Sequence, residues 1–232
     1  MSNPSSRPPG QPRWPAGSRQ GGNSAASRRQ EPTVDPAREE KNLDRDQIGR
    51  LLHQLDRRLQ SRGVSANLYV VGGAALAMGS MGRRLTVDID VAHLDDVVAA
   101  EAEQLAVEEG LPPRWLNSSA APWVPSTSPV SPGGGAAGLT VVYAKPEQLL
   151  AMKIVAQRRR DAEDISALAS VLGMTGAPAS KFESLLRSVY GGEGELAQVI
   201  GGSEDGIDDE VRHLAVAASR LAKSPIALDS ES

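Results

Sequence analysis

Asp88 and Asp90 are the residues of this 232-residue chain whose spacing points most directly to chemistry. They alternate with Ile89 and Val91 in a run that starts at Leu85, so a period of two predicts a strand with both carboxylates on one face and apolar side chains on the other. Two such charges repel each other unless a cation lies between them, and Mg²⁺ accepts one or two carboxylates together with phosphate oxygens. The pair therefore predicts a magnesium site for one or two ions.

A Gly-Gly turn precedes the aspartate strand. Residues 68–71 are strand-like and end at Gly72 and Gly73, and residues 74–78 are good helix formers. Backbone N–H groups at this turn have no side chain in the way, so Gly72 and Gly73 are expected to bind a triphosphate. A metal site beside a phosphate-binding turn is typical of nucleotidyl or phosphoryl transfer.

The order of these parts resembles a known family. Gly72-Gly73, a spacer and the run Asp88-Ile89-Asp90-Val91 resemble the first motif of the DNA polymerase beta-like nucleotidyltransferase superfamily. The longer run GGAALAMGSMGRRLTVDIDV is similar to the AbiEii-type branch, the nucleotidyltransferase toxins of bacterial toxin–antitoxin pairs and their uncharacterised relatives. The resemblance covers about residues 44–172 and implies Mg²⁺-dependent transfer of a nucleoside monophosphate from a nucleoside triphosphate to an acceptor hydroxyl.

A second block of the resemblance lies in residues 146–172. Lys153 and the later segment Arg-Asp-x-x-Asp, which contains Asp161 and Asp164, resemble family motifs in which the lysine contacts the nucleotide phosphates and the later aspartate is needed for activity. These three residues are catalytic candidates together with the aspartate pair. In one continuous helix, Lys153 and Asp164 would share a face with Arg160.

Each residue of this block also has a structural interpretation. Lys153 can be an ordinary lysine that extends its ammonium into solvent, and residues 158–160 can be a solvated helix end. Asp161 can be an N-cap, with Asp164 completing a pattern like a capping box. The sequence does not choose between Asp161 and Asp164 as the residue that faces the site.

Three further polar residues are candidates for nucleotide binding. Arg83 and Arg84 lie in the loop before the aspartate strand, where the related toxins often carry a basic residue, and an exposed loop pair is the alternative. Trp115 followed by Asn117 resembles the same relatives, which makes Asn117 the third candidate. Trp115 and Trp123 can stack on a base, although core packing is the more common role of tryptophan.

The resemblance implies RNA, in particular tRNA, as the acceptor and an antitoxin protein as partner. A small-molecule acceptor such as an aminoglycoside antibiotic is one alternative, and an inactive fold that only binds a nucleotide or protein is another. Strand 139–144 carries no third carboxylate. The first 41 residues contain seven basic and four acidic residues, so the rest of a chain of net charge −4 is more acidic than the whole, which does not favour RNA binding. Both observations favour the binding module, whereas Asp88, Asp90 and Lys153 favour the enzyme.

The motifs need a sheet and helices to position them. Asp44 is expected to cap a helix that ends near Ser61, and helical or strand-like patterns continue through the chain: a strand at 67–71, a helix from 95 or 96 to 109, a strand at 139–144, and helices at 181–190, 195–200 and 207–222. This pattern predicts an α+β fold. It contains a disordered basic tail (1–41), a nucleotidyltransferase core with a mixed sheet and flanking helices (42–175), and a C-terminal helical region (176–232).

Composition excludes several other classes of site. The chain has no cysteine, so disulfides and thiolate metal sites are excluded, and its three histidines do not cluster. No apolar run approaches membrane-spanning length and no signal core is visible, so a cytoplasmic protein is expected. The arginines of the tail fit an RNA-contacting arm or a solvated segment, and the long loop 118–138 fits a lid, a docking segment or a simple insertion.

Overall fold

The computed structural model describes residues 42–79, 84–128, 135–201 and 206–223. The elements in this part of the chain are α1 (Arg45–Ser61), β1 (Ser65–Val71), α2 (Gly72–Met78), β2 (Ile89–Val91), α3 (Asp96–Glu109), β3 (Leu116–Asn117), β4 (Gly138–Tyr143), α4 (Pro146–Ala156), α5 (Ala162–Val171), α6 (Ala179–Tyr190), α7 (Glu193–Ile200) and α8 (Ile207–Leu221). Short 3-10 turns occupy Ala121–Trp123 and Arg159–Asp161. The predicted α+β fold is confirmed, and the predicted tail 1–41 lies outside the described residues.

The four strands form one mixed sheet in the order β3-β2-β1-β4. β1 runs antiparallel to β2, with Val71 opposite Asp90, and parallel to β4. β2 runs parallel to β3, with Asp90 opposite Asn117. Residues 68–71 of β1 are buried, and both α1 and α2 contact this strand. The register therefore sets Asp90 between the end of β1 and Asn117.

The strand predicted from Leu85 is shorter than its alternating pattern indicates. Only Ile89–Val91 join the sheet, so the prediction of a strand from Leu85 is wrong for residues 85–88, and Leu85 and Val87 are exposed by 54% and 42%. Thr86 instead exchanges two backbone hydrogen bonds with Leu43, at 2.6 and 3.0 Å. This isolated bridge holds the segment outside the sheet, so Asp88 lies in a bend immediately before β2.

Helix α1 begins and ends where its sequence signals predict. The Asp44 carboxylate accepts a hydrogen bond from Gln47 N at 2.8 Å, and the Gln47 side chain accepts one from Asp44 N at 2.9 Å, which completes a capping box. The helix packs beside β4, where Asp56 Oδ1 accepts a hydrogen bond from Leu139 N at 2.7 Å. α1 therefore fixes the outer strand of the sheet.

Residues 146–172, considered above as one continuous helix, form two helices joined by a reversal. α4 ends at Ala156, Gln157 adopts a left-handed conformation with φ +51°, and α5 begins at Ala162 after a 3-10 turn. The reversal folds α5 back against α4, so Asp161 and Asp164 return to the side of Lys153. Lys153 and Asp164 are thus neighbours, although they do not share the face of one helix.

The C-terminal helices match their predicted positions to within about two residues, which is the usual uncertainty of helix ends. Their common core contains Phe182, Leu186 and Tyr190 of α6, which pack against Val211 and Leu214 of α8. Among the described residues, no helix has both the length and the apolar character that crossing a membrane requires.

Candidate functional site

Seven of the ten predicted site residues line one cavity of about 490 Å³ at the point where β1 ends and α2 begins. The residues that line it include both glycines of the turn, both aspartates of the pair and several cations. Its polar and glycine lining comprises Asn42, Gly72, Gly73, Arg84, Thr86, Asp88, Asp90, Ser119, Lys153, Arg158, Arg160 and Asp161. The chain segments around residues 72, 88 and 153 are thus brought together as the motifs predict.

Only glycine fits at the two positions of the turn. Gly72 has φ +64°, and a Cβ atom there would lie 3.0 Å from Asp90 Oδ2. A Cβ atom on Gly73 would lie 2.6 Å from Thr86 Oγ1, which is closer than real Cβ contacts. The glycines therefore allow the backbone to approach the aspartate pair and leave this side of the cavity open.

The aspartate pair carries an electrostatic strain that a cation would relieve. Burial, together with repulsion from Asp88, raises the pKa of Asp90 to about 6, although Arg158, Arg160 and Lys153 act in the opposite direction. Within the described ranges, no group of three or more His, Cys, Asp or Glu side chains is arranged to hold a metal. Two carboxylates beside an open cavity fit Mg²⁺, which usually binds one or two carboxylates and completes its shell with water and phosphate.

The raised pKa of Asp90 has a measurable consequence for stability. Folded Asp90 keeps its proton up to about pH 6, whereas the unfolded chain releases it near its ordinary value of 3.8. The wild-type protein therefore loses stability as pH rises from about 4 to 6, and the loss persists above pH 6. Asp90→Asn is expected to raise the free energy of unfolding by about 1–2 kcal/mol at pH 8, with no gain at pH 4, in urea melts with EDTA.

The matched control for this measurement is Asp96→Asn, which removes an exposed carboxylate at the start of α3. It should show no gain at either pH. An Asp90→Asn protein that is no more stable than wild type at pH 8 would contradict the electrostatic description of the pair.

Asn117 lies behind Asp88 and does not line the cavity. Its Nδ2 donates hydrogen bonds to Asp88 Oδ2 at 3.1 Å and to Arg114 O at 3.2 Å, and its Oδ1 accepts one from Ser119 N at 2.8 Å. The side chain is 6% exposed, so both ends of its amide are committed to protein partners. Asn117 therefore contacts the aspartate pair from the β3 side, whereas the sequence resemblance gave it a role in nucleotide binding.

Lys153 is held by two carboxylates. Its Nζ lies 2.7 Å from Asp161 Oδ1 and 2.7 Å from Asp164 Oδ2, and its side chain is 11% exposed. The interpretation of Lys153 as a lysine that extends into solvent is therefore wrong. Asp161 does occupy the N-cap position of α5, but its side chain makes no capping hydrogen bond and accepts from Lys153 instead.

Asp164 connects this lysine to the loop before β2. It is 1% exposed and forms a second ion pair with Arg84. Both aspartates that the sequence left as alternatives thus contact Lys153, and of the two Asp161 lines the cavity whereas Asp164 lies behind it. Arg83 lies outside the described residues, so the structure places only one arginine of the predicted pair.

Arg158 and Arg160 are cavity residues for which the sequence also allowed a solvated helix end. Both line the cavity, and neither forms an ion pair with a described residue. The guanidinium of Arg158 lies 4.4 Å from the ring centroid of Trp123, and this cation–π contact holds the arginine side chain against the tryptophan ring. The sequence does carry a signal for this placement, because the arginine run 158–160 immediately precedes the candidate site residue Asp161.

The two tryptophans have different surroundings. Trp115 is fully buried, and its indole donates a hydrogen bond to Ala102 O at 2.9 Å, so its predicted core role is confirmed. Trp123 is half-buried and lines the cavity beneath Arg158.

A comparison with protein families gives a match over residues 47–174, more than half of the chain. The family is described as a nucleotidyltransferase of unknown function, and the matched span runs from α1 to the residues just after α5, so it includes every candidate residue from Gly72 to Asp164. No curated protein and no solved structure matches the chain. The match supports a nucleotidyltransferase, and the AbiEii-type toxin branch stays a prediction. The chain belongs to the family described as nucleotidyltransferases of unknown function (DUF6036).

Proposed function

We propose that this protein is an active Mg²⁺-dependent enzyme that moves a nucleoside monophosphate from a nucleoside triphosphate to an acceptor hydroxyl. The observation that carries the proposal is one cavity in which Asp88 and Asp90 lie beside Gly72 and face Arg158 and Arg160. Nucleotidyl transfer needs these components together: ligands for a cation, open backbone for phosphate groups, and positive charge for the leaving pyrophosphate.

Asp88 and Asp90 would hold the metal, which supplies charge stabilisation at the α-phosphate and at the attacking oxygen. The acceptor oxygen forms a bond to the α-phosphorus, and the bond from that phosphorus to the oxygen bridging to the β-phosphate breaks. Asp90, which lines the same cavity, would accept the hydroxyl proton. The products are the nucleotidylated acceptor and pyrophosphate.

The positive charges around the cavity divide into two groups. Lys153 is held between Asp161 and Asp164, so its ammonium is positioned but largely neutralised. Arg158 and Arg160 have no carboxylate partner among the described residues, so they retain charge for the β- and γ-phosphates. We therefore assign pyrophosphate stabilisation mainly to the two arginines, and the orientation of the site to Lys153 and its aspartates.

The acceptor is a separate question, because the site holds the nucleotide and does not identify what receives it. RNA or tRNA, with an antitoxin protein as partner, is the proposal that the resemblance implies, and Arg84, Arg158 and Arg160 offer a basic patch for it. A small-molecule acceptor such as an antibiotic is the alternative enzyme. An inactive binding module is supported by the absence, among the described residues, of three His, Cys, Asp or Glu side chains grouped to hold a metal.

Transfer of label from each α-³²P nucleoside triphosphate tests the proposal, with Mg²⁺ present and total RNA or a small-molecule pool as acceptor. Label on RNA would support the toxin-like enzyme, and label only in the small-molecule pool would support the alternative enzyme. Binding of a triphosphate without transfer to either acceptor would support the binding module.

Asn117 is expected to act through Asp88. Its amide holds one carboxylate oxygen and leaves the other for a cation, and such a partner commonly changes metal affinity. Asn117→Ala should weaken Mn²⁺ binding about tenfold, measured by electron paramagnetic resonance titration. Gln54→Ala is the control, because it removes an amide whose hydrogen bond is to Glu109, away from the cavity. Equal Mn²⁺ affinities for the two variants would contradict this role.

A further inference from the structure

We infer that the C-terminal helices complete the nucleotide site: Tyr190 and Glu195 position the cavity wall that carries Trp123, and Trp123 in turn holds Arg158. The wall is the segment 119–128, which follows β3 and contributes Ser119, Ala120 and Trp123 to the cavity lining. The helices lie outside the matched span 47–174. This inference rests on the proposed function, because it concerns how the same cavity binds a nucleoside triphosphate.

Three successive hydrogen-bonding contacts tie the wall to α6 and α7. The Tyr190 hydroxyl donates to Trp123 O at 2.7 Å, and Thr127 Oγ1 donates to Val189 O at 3.3 Å. Ser126 donates from its backbone N and its Oγ to the two carboxylate oxygens of Glu195, at 2.6 and 2.7 Å. The wall is therefore attached to the C-terminal helices at two places, the 3-10 turn Ala121–Trp123 and the turn at residues 125–128.

Tyr190 is the most deeply buried of these attachments. Its side chain is fully buried, and burial together with the nearby charge of Glu195 raises the pKa of Tyr190 well above its ordinary value. The hydroxyl thus stays protonated and remains a donor across the working range of pH. A buried donor of this kind constrains the position of Trp123 as long as α6 keeps its place.

The constraint reaches the cavity through Arg158. The Trp123 ring lies 4.4 Å from the Arg158 guanidinium, and Arg158 lines the same cavity as Asp88 and Asp90. Tyr190 is therefore connected to the charge at the aspartate pair through two intervening side chains. Tyr190 and Glu195 are positioning residues, since neither lines the cavity.

A wall that is held before the nucleotide arrives does not have to be ordered by the nucleotide. Ordering a free segment opposes binding, whereas a preorganised one leaves more of the contact energy for affinity. The wall contacts the ground state and the transition state alike, so loosening it should raise KM and leave kcat nearly unchanged. A merely structural role would lower the melting temperature without this division between KM and kcat.

Tyr190→Phe is the first test, since it removes one oxygen and keeps the buried ring. KM for the nucleoside triphosphate should rise about fivefold, the equivalent of one net hydrogen bond, and kcat should stay within about twofold of wild type. Glu195→Ala is the second variant, because Glu195 is only partly buried and its loss leaves the core of α6 intact. It should raise KM in the same way.

Ser219→Ala is the matched control. Ser219 Oγ donates to Ala177 O at 2.9 Å, so this variant also loses one hydroxyl-to-carbonyl bond in the C-terminal region, but without a contact to the wall. It should lower the melting temperature as Tyr190→Phe does and leave KM unchanged. Equal KM values for Tyr190→Phe, Glu195→Ala and Ser219→Ala would overturn the inference.

A second readout separates this inference from the proposed function. Acrylamide quenching of Trp123 fluorescence, taken as the difference from the same protein with Trp123→Phe, needs no catalysis. Quenching should increase in Tyr190→Phe and not in Ser219→Ala. If wild type transfers no label but quenching behaves in this way, the proposed function fails and the wall inference stands. Unchanged quenching would overturn the inference whatever the activity.

Discussion

Replacing Asp88 by asparagine is expected to lower nucleotidyl transfer about a thousandfold, which corresponds to about 4 kcal/mol of lost transition-state stabilisation. The substitution keeps the shape of the side chain and can keep a contact with Asn117, but it removes one of the two negative charges that would hold the metal. Rates of label transfer from the preferred nucleoside triphosphate, measured at saturating Mg²⁺, give the comparison. Circular dichroism checks that the fold is retained.

Asp96→Asn is the control for this loss. It removes a carboxylate that is exposed and absent from the cavity lining, so transfer should stay near the wild-type rate. An Asp88→Asn enzyme that retains a tenth or more of wild-type activity would show that this carboxylate is not a metal ligand in the reaction.

Replacing Asp164 by alanine is expected to have the largest effect on stability, a loss of about 3–5 kcal/mol in the free energy of unfolding. Asp164 is 1% exposed and pairs with both Lys153 and Arg84, so its removal leaves buried positive charge with fewer partners. The cost arises from the uncompensated charge more than from the lost contacts. Urea denaturation with linear extrapolation measures it.

The exposed pair of Asp209 and Arg212 supplies the control. The side chain of Asp209 is 78% exposed, so Asp209→Ala should cost no more than about 1 kcal/mol. In addition, Lys153→Met combined with Asp164→Ala should cost less than the two single changes added together, because the charges are removed as a pair. Additive losses, or equal small losses for Asp164→Ala and Asp209→Ala, would contradict the buried network.

Local sequence signals predicted the parts of the fold whose stabilising contacts are also local. Asp44 and Gln47 cap α1 because their hydrogen bonds span three residues, and the glycine turn is predictable because Gly72 itself adopts the left-handed conformation that favours glycine. The spacing of Asp88 and Asp90 likewise predicted two carboxylates at one site. In each case the residues that determine the geometry lie within one element or one turn.

Other features depend on contacts that no local pattern reveals. Gln157 is a residue type that seldom adopts a positive φ, so the reversal between α4 and α5 has no sequence signature, and yet it brings Asp164 to Lys153. Asn117 reaches Asp88 only because β3 pairs with β2 across 29 residues of chain. Val87 is exposed because the adjacent residue, Thr86, forms an isolated bridge with Leu43 and stays outside the sheet.

The family match and the geometry of the site support different levels of the function. The match establishes a nucleotidyltransferase family, and the cavity supports activity through residues that lie within the matched span. The toxin prediction concerns the acceptor and an antitoxin protein, and the aspartate pair identifies neither. Fold and nucleotide site therefore carry more of the argument than acceptor identity does.

The most direct test of the central proposal is a pair of reactions that differ only in the position of ³²P. The protein is incubated with Mg²⁺, the same acceptor pool, and one nucleoside triphosphate labelled at either the α- or the γ-phosphate. The proposal requires α-label on the acceptor and γ-label released as pyrophosphate, with both signals lost in Asp88→Asn. Gamma-label on the acceptor would instead show phosphoryl transfer, and no transfer from either position would contradict an active nucleotidyltransferase.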